Sequence, residues 1–315
     1  MHVDSDEGLM ERLYLAAGFH PAPAVSSASS DRFACPTSPA GGVRRRETLL
    51  STTDGYGNLR CVATPSCEHG RVLNDEVLVA RGLRKRFRGV QAVDGVDLDV
   101  RAGERVGLLG PNGAGKTTTL LMLLGAITPD AGTIEVVGHR LPGGRSQAMM
   151  DVGFAAGYLP LTERLRVREF LRMYGEIYGI ADPMPAIEAG LERFRIPHLA
   201  DRLGSELSSG QRTLVGIVKA TLHRPRLLVL DEPTNALDPD VASRVRAGLL
   251  DLCRDEGIAL LVTSHNMVEV QRVCGRVIFL SRGKVVADGS PEDVASQFDR
   301  DDLEGVFLHL AEEHT

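Results

Sequence analysis

Residues 105–118 read Arg105-Val106-Gly107-Leu108-Leu109-Gly110-Pro111-Asn112-Gly113-Ala114-Gly115-Lys116-Thr117-Thr118. The first five have the length and apolar content of a buried strand. The glycines that follow let the backbone turn so that successive N–H groups point at an anion. The run Thr117-Thr118-Thr119-Leu120-Leu121-Met122-Leu123-Leu124 then predicts a helix whose N-terminus adds partial positive charge. Lys116 brings a compact ammonium to phosphate oxygens, and the Thr117 hydroxyl can ligate Mg²⁺. The spacing is G-x-x-x-x-G-K-[ST], for which roughly 0.005 chance matches are expected at this composition. A glycine-rich turn with a solvated lysine is the bland alternative. The strand before it and the helix after it favour a nucleotide-phosphate loop made of Gly110 to Thr118.

Two further strands end in polar residues suited to the same edge of a sheet. Arg226-Leu227-Leu228-Val229-Leu230 runs into Asp231-Glu232-Pro233-Thr234, and Ile258 to Val262 runs into Thr263-Ser264-His265. In open α/β sheets ligands lie beyond the carboxyl ends of the strands. Asp231 is therefore expected to hold Mg²⁺, Glu232 to polarise an attacking water, and His265 to hydrogen-bond the terminal phosphate and that water. Turn capping by Asp231 and Glu232, and an ordinary polar tip at His265, are the alternatives.

Working outward, Val77–Ala80, Val96–Val100, Thr133–Val137 and Val277–Leu280 also have strand length and β-branched content, and helical patterns fall between the strands. The expected fold is α/β, with a P-loop core, a largely parallel sheet and a helical subdomain over about 163–222. Within that subdomain Phe170-Leu171-Tyr174-Ile177-Tyr178 and Ile187-Leu191-Phe194 keep helical spacing. Residues 76–291 are expected to form the ATPase domain and 292–315 a C-terminal helical tail.

Residues 1–75, dominated from 21 to 67 by Pro, Ser, Ala, Gly and Thr, are expected to be a disordered extension. Met10-Leu13-Ala17 allows a short amphipathic helix. Cys61, Cys67 and His69 read either as free thiols in a loose tail or, less naturally given their irregular spacing, as zinc ligands. Translation starting near Val72 or Val77 is a third reading of this segment.

Composition narrows the function. The 315 residues carry a formal charge of −6 and 43% apolar residues. That charge argues against a broad basic grip on nucleic acid, so no nucleic-acid partner is expected. No apolar run approaches the ~18 residues of a membrane span. The five cysteines are odd in number, without a C-x-x-C pair, which fits a reducing compartment. Of the 36 basic residues only Lys85, Lys116, Lys219 and Lys284 are lysines, so each lysine marks an unusual choice.

These residues, together with Leu207-Ser208-Ser209-Gly210-Gln211, resemble the nucleotide-binding subunits of ATP-binding cassette (ABC) transporters over about residues 77–291. Six motifs stand in family order: an aromatic at Phe87, the phosphate loop, the signature loop at 207–211, Asp231-Glu232, a D-loop at Asn235-Ala236-Leu237-Asp238, and His265. The resemblance implies ATP with Mg²⁺, and stacking of Phe87 on adenine, although Phe87 also suits core packing. It also implies a nucleotide shared across a head-to-tail dimer, closed by Ser208, Ser209, Gly210, Gln211 and Asp238 of a second copy or a homologous ATPase subunit. Ser208 or Ser209 can equally be an ordinary helix N-cap.

Two departures stand out. Ser209 replaces the usual glycine, and the family's glutamine before the helical subdomain is replaced by Gly157 or Tyr158. Leu165 to Leu171 and the tail Asp302-Leu303-Glu304-Gly305-Val306-Phe307-Leu308 are similar to the exporter branch called ABC-2, for drugs, lipids or polysaccharides. The implied protein is a cytoplasmic ATPase, peripheral on the inner face of the membrane, that energises a separate polytopic permease. The alternative is a soluble ABC ATPase acting on ribosomes or nucleic acid.

Overall fold

Continuous burial along the short central strands and alternating burial along two long ones decide how this chain layers. The computed structural model describes residues 75–156, 161–235 and 237–312, all within one unit of the chain. Met10 to Ala17, the thiols Cys61 and Cys67 with His69, and Gly157, Tyr158 and Ala236 lie outside the described residues. The strands are β1 (Glu76–Phe87), β2 (Val90–Arg101), β3 (Arg105–Leu109), β4 (Ala131–Val136), β5 (His139–Arg140), β6 (Val152–Ala156), β7 (Leu227–Asp231), β8 (Ala259–Thr263), β9 (Arg276–Ser281) and β10 (Lys284–Gly289). The helices are α1 (Lys116–Leu123), α2 (Arg145–Met149), α3 (Val167–Ile177), α4 (Met184–Arg193), α5 (Ser209–Thr221), α6 (Pro239–Glu256), α7 (Met267–Val273), α8 (Pro291–Gln297) and α9 (Leu303–Glu312).

Six strands form the central sheet in the order β10-β9-β3-β8-β7-β6. All neighbours from β9 to β6 are parallel and β10 is antiparallel to β9. The other four form a separate antiparallel sheet, β2-β1-β4-β5. The expected strands at 77–80, 96–100 and 133–137 belong to this second sheet, whose partners periodicity alone does not reveal.

The central sheet is buried on both faces, as parallel sheets are. Leu109, Leu228, Leu230, Leu260, Val262, Val277 and Phe279 point into an apolar core shared with α3 to α9. Their neighbours Val106, Leu108, Leu227, Val229, Leu261, Ile278 and Leu280 point the other way, into a core shared with α1 and the antiparallel sheet. One residue of register slip would exchange these two sets, so the register is strongly fixed.

The helical subdomain packs against the first of these cores through small residues. A Cβ on Gly190 would lie 2.8 Å from Val218, and one on Gly248 would lie 2.4 Å from the Phe194 ring, so α4 meets α5 and Phe194 meets α6 at backbone range.

Candidate nucleotide site

Parallel register brings three strand ends to one level. Leu108 of β3 pairs with Thr263 of β8, and Thr263 pairs with Asp231 of β7. The loop after Leu109, the acids at 231 and 232, and His265 therefore emerge together at the carboxyl edge, where ligands of such sheets bind.

The loop is shaped by close backbone approach. Gly110 has φ 141° and a Cβ there would lie 2.1 Å from the Leu280 carbonyl oxygen, while Gly115 has φ 101° and its Cβ would lie 2.4 Å from that of Ala92. Only glycine fits either place, and the loop seats directly on β9 and β2. Lys116, first residue of α1, donates from Nζ to the carbonyl oxygens of Gly110 (2.6 Å) and Pro111 (3.0 Å). Burial lowers its pKa, opposed by the negative charges of Glu232 and Asp231.

Thr263 orders the two acids. Its hydroxyl donates to Asp231 Oδ1 at 2.5 Å and accepts the Glu232 N–H at 3.1 Å. Glu232 adopts φ 50°, a left-handed backbone that costs a glutamate energy and recurs at functional sites. Its Oε2 meets His265 Nδ1 at 2.8 Å and accepts the His265 backbone N–H at 3.3 Å. His265 thus contacts the glutamate itself. No local pattern gives the Thr263 hydroxyl a role; its place beside Asp231 follows from strand pairing.

A cavity of about 820 Å³ opens over this edge. It is lined by Asn112, Gly113, Gly115, Lys116, Thr117 and Thr118 of the loop, by Asp231, Glu232, Asn235 and His265, and by Val90, Gln91, Ala92 and Phe307. Gly110, Pro111 and Ala114 complete the loop without lining the cavity, and Pro111 and Ala114 are buried. Phe87 does not line it either; its ring is 43% exposed and lies 5.5 Å from Lys85 Nζ.

The signature residues Ser208, Ser209, Gly210 and Gln211, and also Asp238, are absent from the lining. Ser208 is the N-cap of α5: its hydroxyl accepts the Gln211 N–H at 3.3 Å, and Gln211 Oε1 accepts the Ser208 N–H at 3.0 Å. Asp238 precedes α6 without a side-chain capping bond.

The donor set suits the ligand read from the sequence. Thr117 and Asp231 offer hard oxygen donors on one cavity, which fits Mg²⁺ completing its shell with water and phosphate oxygens. The glycine cradle, the Lys116 ammonium and the start of α1 fit a phosphate chain.

Comparison with known proteins agrees in kind. Residues 93–235 match the profile of the family described as ABC transporter. The chain is similar to Nod factor export ATP-binding protein I of Ralstonia nicotianae, at 38% identity over 223 residues, covering 69% of this chain and 68% of that protein. It is also similar to lipopolysaccharide export system ATP-binding protein LptB of Haemophilus influenzae, at 37% identity, covering 69% of this chain and 92% of that protein. Among solved structures, an ATP binding subunit of an ABC transporter superposes with a TM-score of 0.67 at 28% identity, covering 75% of this chain and 99% of that one.

Proposed function

This chain belongs to the ABC transporter family and is an ATPase of the kind that couples hydrolysis to transport, and from that premise we propose that it energises an exporter whose membrane-spanning subunit is a separate chain. The observation that carries the mechanism is the 2.8 Å contact between Glu232 and His265 on the cavity that Lys116 and Asp231 also line. Backbone N–H groups of residues 112–118 and the Lys116 ammonium hold the phosphates. Thr117 and Asp231 would hold Mg²⁺, which would supply neutralising charge to the bound phosphate chain. Glu232 accepts the proton of the attacking water, and His265 fixes the carboxylate in place.

The signature loop acts on a second subunit. Ser208 to Gln211 and Asp238 lie off this chain's own cavity, and Ser208, Ser209 and Asp238 are not buried, which supports a head-to-tail dimer with another copy or a homologous ATPase. With the Ser208 hydroxyl engaged as a cap, free N–H groups at the start of α5 are the donors offered to the partner's phosphate.

Among the described residues no helix is long and apolar enough to cross a membrane. The exporter reading therefore places the chain peripherally, on the cytoplasmic face beneath its permease. We read residues 76–291 as the ATPase domain, 163–222 as its helical subdomain and 292–315 as its tail.

Glu232→Gln tests the composite site. It is expected to slow ATP turnover by about 10²–10⁴ while ATP still binds, and to elute as a dimer with ATP and Mg²⁺. A variant that stays monomeric at saturating nucleotide contradicts the shared site. Membrane fractionation tests the partner: sedimentation with membranes only when a permease is co-expressed is expected, and sedimentation with ribosomes overturns the exporter reading.

A further inference from the structure

Two walls of the nucleotide cavity come from outside the site motifs, Val90 to Ala92 at the start of β2 and Phe307. Phe307 lies on α9, at the far end of the chain from the phosphate loop, yet it lines the same cavity as Lys116, Asp231, Glu232 and His265. We propose that α9, through Phe307, is a working wall of the ATP site, so that nucleotide binding and docking of the C-terminal helix are coupled. The proposal rests on the reading of this cavity as the ATP site.

The placement is built by packing. Leu303, Val306 and Leu310 recur at helical spacing and are at most 3% exposed, which anchors one face of α9 in the core shared with α7 and α8. The Gly305 N–H bonds to Asp302 Oδ1 at 2.9 Å and so ties down the first turn of α9. Phe307, about 100° around the helix from Val306, is half-buried against that core and also lines the cavity.

Its chemistry differs from that of the other walls. Asn112, Lys116, Thr117, Thr118, Asp231, Glu232 and His265 offer polar or charged groups and Val90 and Ala92 small apolar ones, whereas Phe307 brings the one phenyl ring among the described lining residues. A phenyl ring there makes no bond to phosphate. It offers apolar contact and excludes water beside a carboxylate and an imidazole. α9 also packs on α7, the helix that follows His265, so losing Phe307 from the wall removes support from the same edge.

The chain contains no tryptophan, so one introduced ring reports alone. Phe307→Trp is expected to change emission saturably on adding ATP with Mg²⁺, with the dissociation constant that calorimetry gives for the unaltered protein. Leu308→Trp, on the same helix where the native side chain is 56% exposed, is expected to stay silent. Phe307→Ala should weaken ATP binding about 5- to 20-fold. Should the variants fold poorly, hydrogen exchange of the unaltered full chain serves instead: α9 amides should gain protection on saturation with ATP.

Calorimetric ATP binding together with a silent Phe307→Trp and an unchanged affinity for Phe307→Ala would overturn the coupling while leaving the ATP site intact. Unchanged α9 exchange at saturation does the same. No ATP binding by the unaltered protein breaks the underlying reading and the proposal with it.

Discussion

Lys116 and Lys219 are both drawn below the ordinary lysine range by burial, but their surroundings differ. Lys116 stands at the sheet edge with two carbonyl oxygens on its Nζ and the charges of Glu232 and Asp231 nearby. Lys219 stands on α5 with its Nζ 5.2 Å from the Tyr174 ring, and burial pushes it down to about 8. Beside it Tyr178 stacks on His223 at 3.9 Å, and burial pushes His223 down to about 4 and Tyr178 up to about 12. Burial therefore does not by itself mark a working charge. In the cavity the charge is compensated and faces open space that an anion can fill. In the helical subdomain it is a load on the scaffold, offset in part by a ring face.

The same substitution at both lysines should separate these cases most sharply. Lys116→Met is expected to lower ATP affinity by at least about 100-fold, because phosphate then faces only backbone dipoles, with thermal unfolding of the ligand-free protein nearly unchanged. Lys219→Met should keep ATP binding and raise stability at pH 7 by about 1–3 kcal/mol, since the stem packing survives and the desolvated charge goes. Calorimetric titration and denaturant unfolding of both variants check this. A loss of ATP binding in Lys219→Met would break the contrast.

A smaller effect concerns pH. Below 6.5 the unfolded chain protonates His223, which the native fold resists until about 4, so stability falls as pH drops through that window. Between about 8 and 10.5 native Lys219 gives up a proton that the unfolded chain keeps, so stability rises with pH there. His223→Phe should flatten the acid limb and Lys219→Met the alkaline one, each by on the order of 2–3 kcal/mol. Unfolding curves at spaced pH values, compared with the unaltered protein, are the check.

The smallest effect lies behind the phosphate loop. Thr119 Oγ1 on α1 is buried and has no hydrogen-bond partner among the described residues. Thr119→Val keeps the shape and removes that unpaired group, so the protein should gain about 1 kcal/mol. ATP affinity should not change, which a paired calorimetric and thermal measurement tests.

Local chemistry made the centre of the site readable, and long-range pairing hid its surroundings. Gly110 to Thr118, Asp231-Glu232 and Thr263-Ser264-His265 are local patterns whose meaning follows from the strands before them. The antiparallel sheet is not legible from strand length and β-branched content, which mark strands without naming their partners, although β1 and β2 alternate with polar residues where the central strands are apolar almost throughout. β6 does not read as a strand from its residues: Val152-Gly153-Phe154-Ala155-Ala156 has only one β-branched residue, and its strand character comes from burial beside β7. Phe307 was visible as part of a tail motif, but only tertiary packing turns it toward the cavity. Phe87, expected to stack on adenine, is not among the residues that line the cavity.

The position of β3 also orders the making of the molecule. β3 is flanked by β8 and β9, which the chain encodes only after the whole helical subdomain. During synthesis, which delivers the N-terminal side first, the phosphate loop leaves the ribosome long before the strands that hold its base in place. Non-local pairing of this kind is slow to form. Gly110 is seated against the carbonyl of Leu280, so a nascent chain stopped short of β9 has the loop sequence without its cradle. Grip on a nucleotide therefore waits for β9, and a nascent chain able to take hold of ATP is one that already carries its whole helical subdomain.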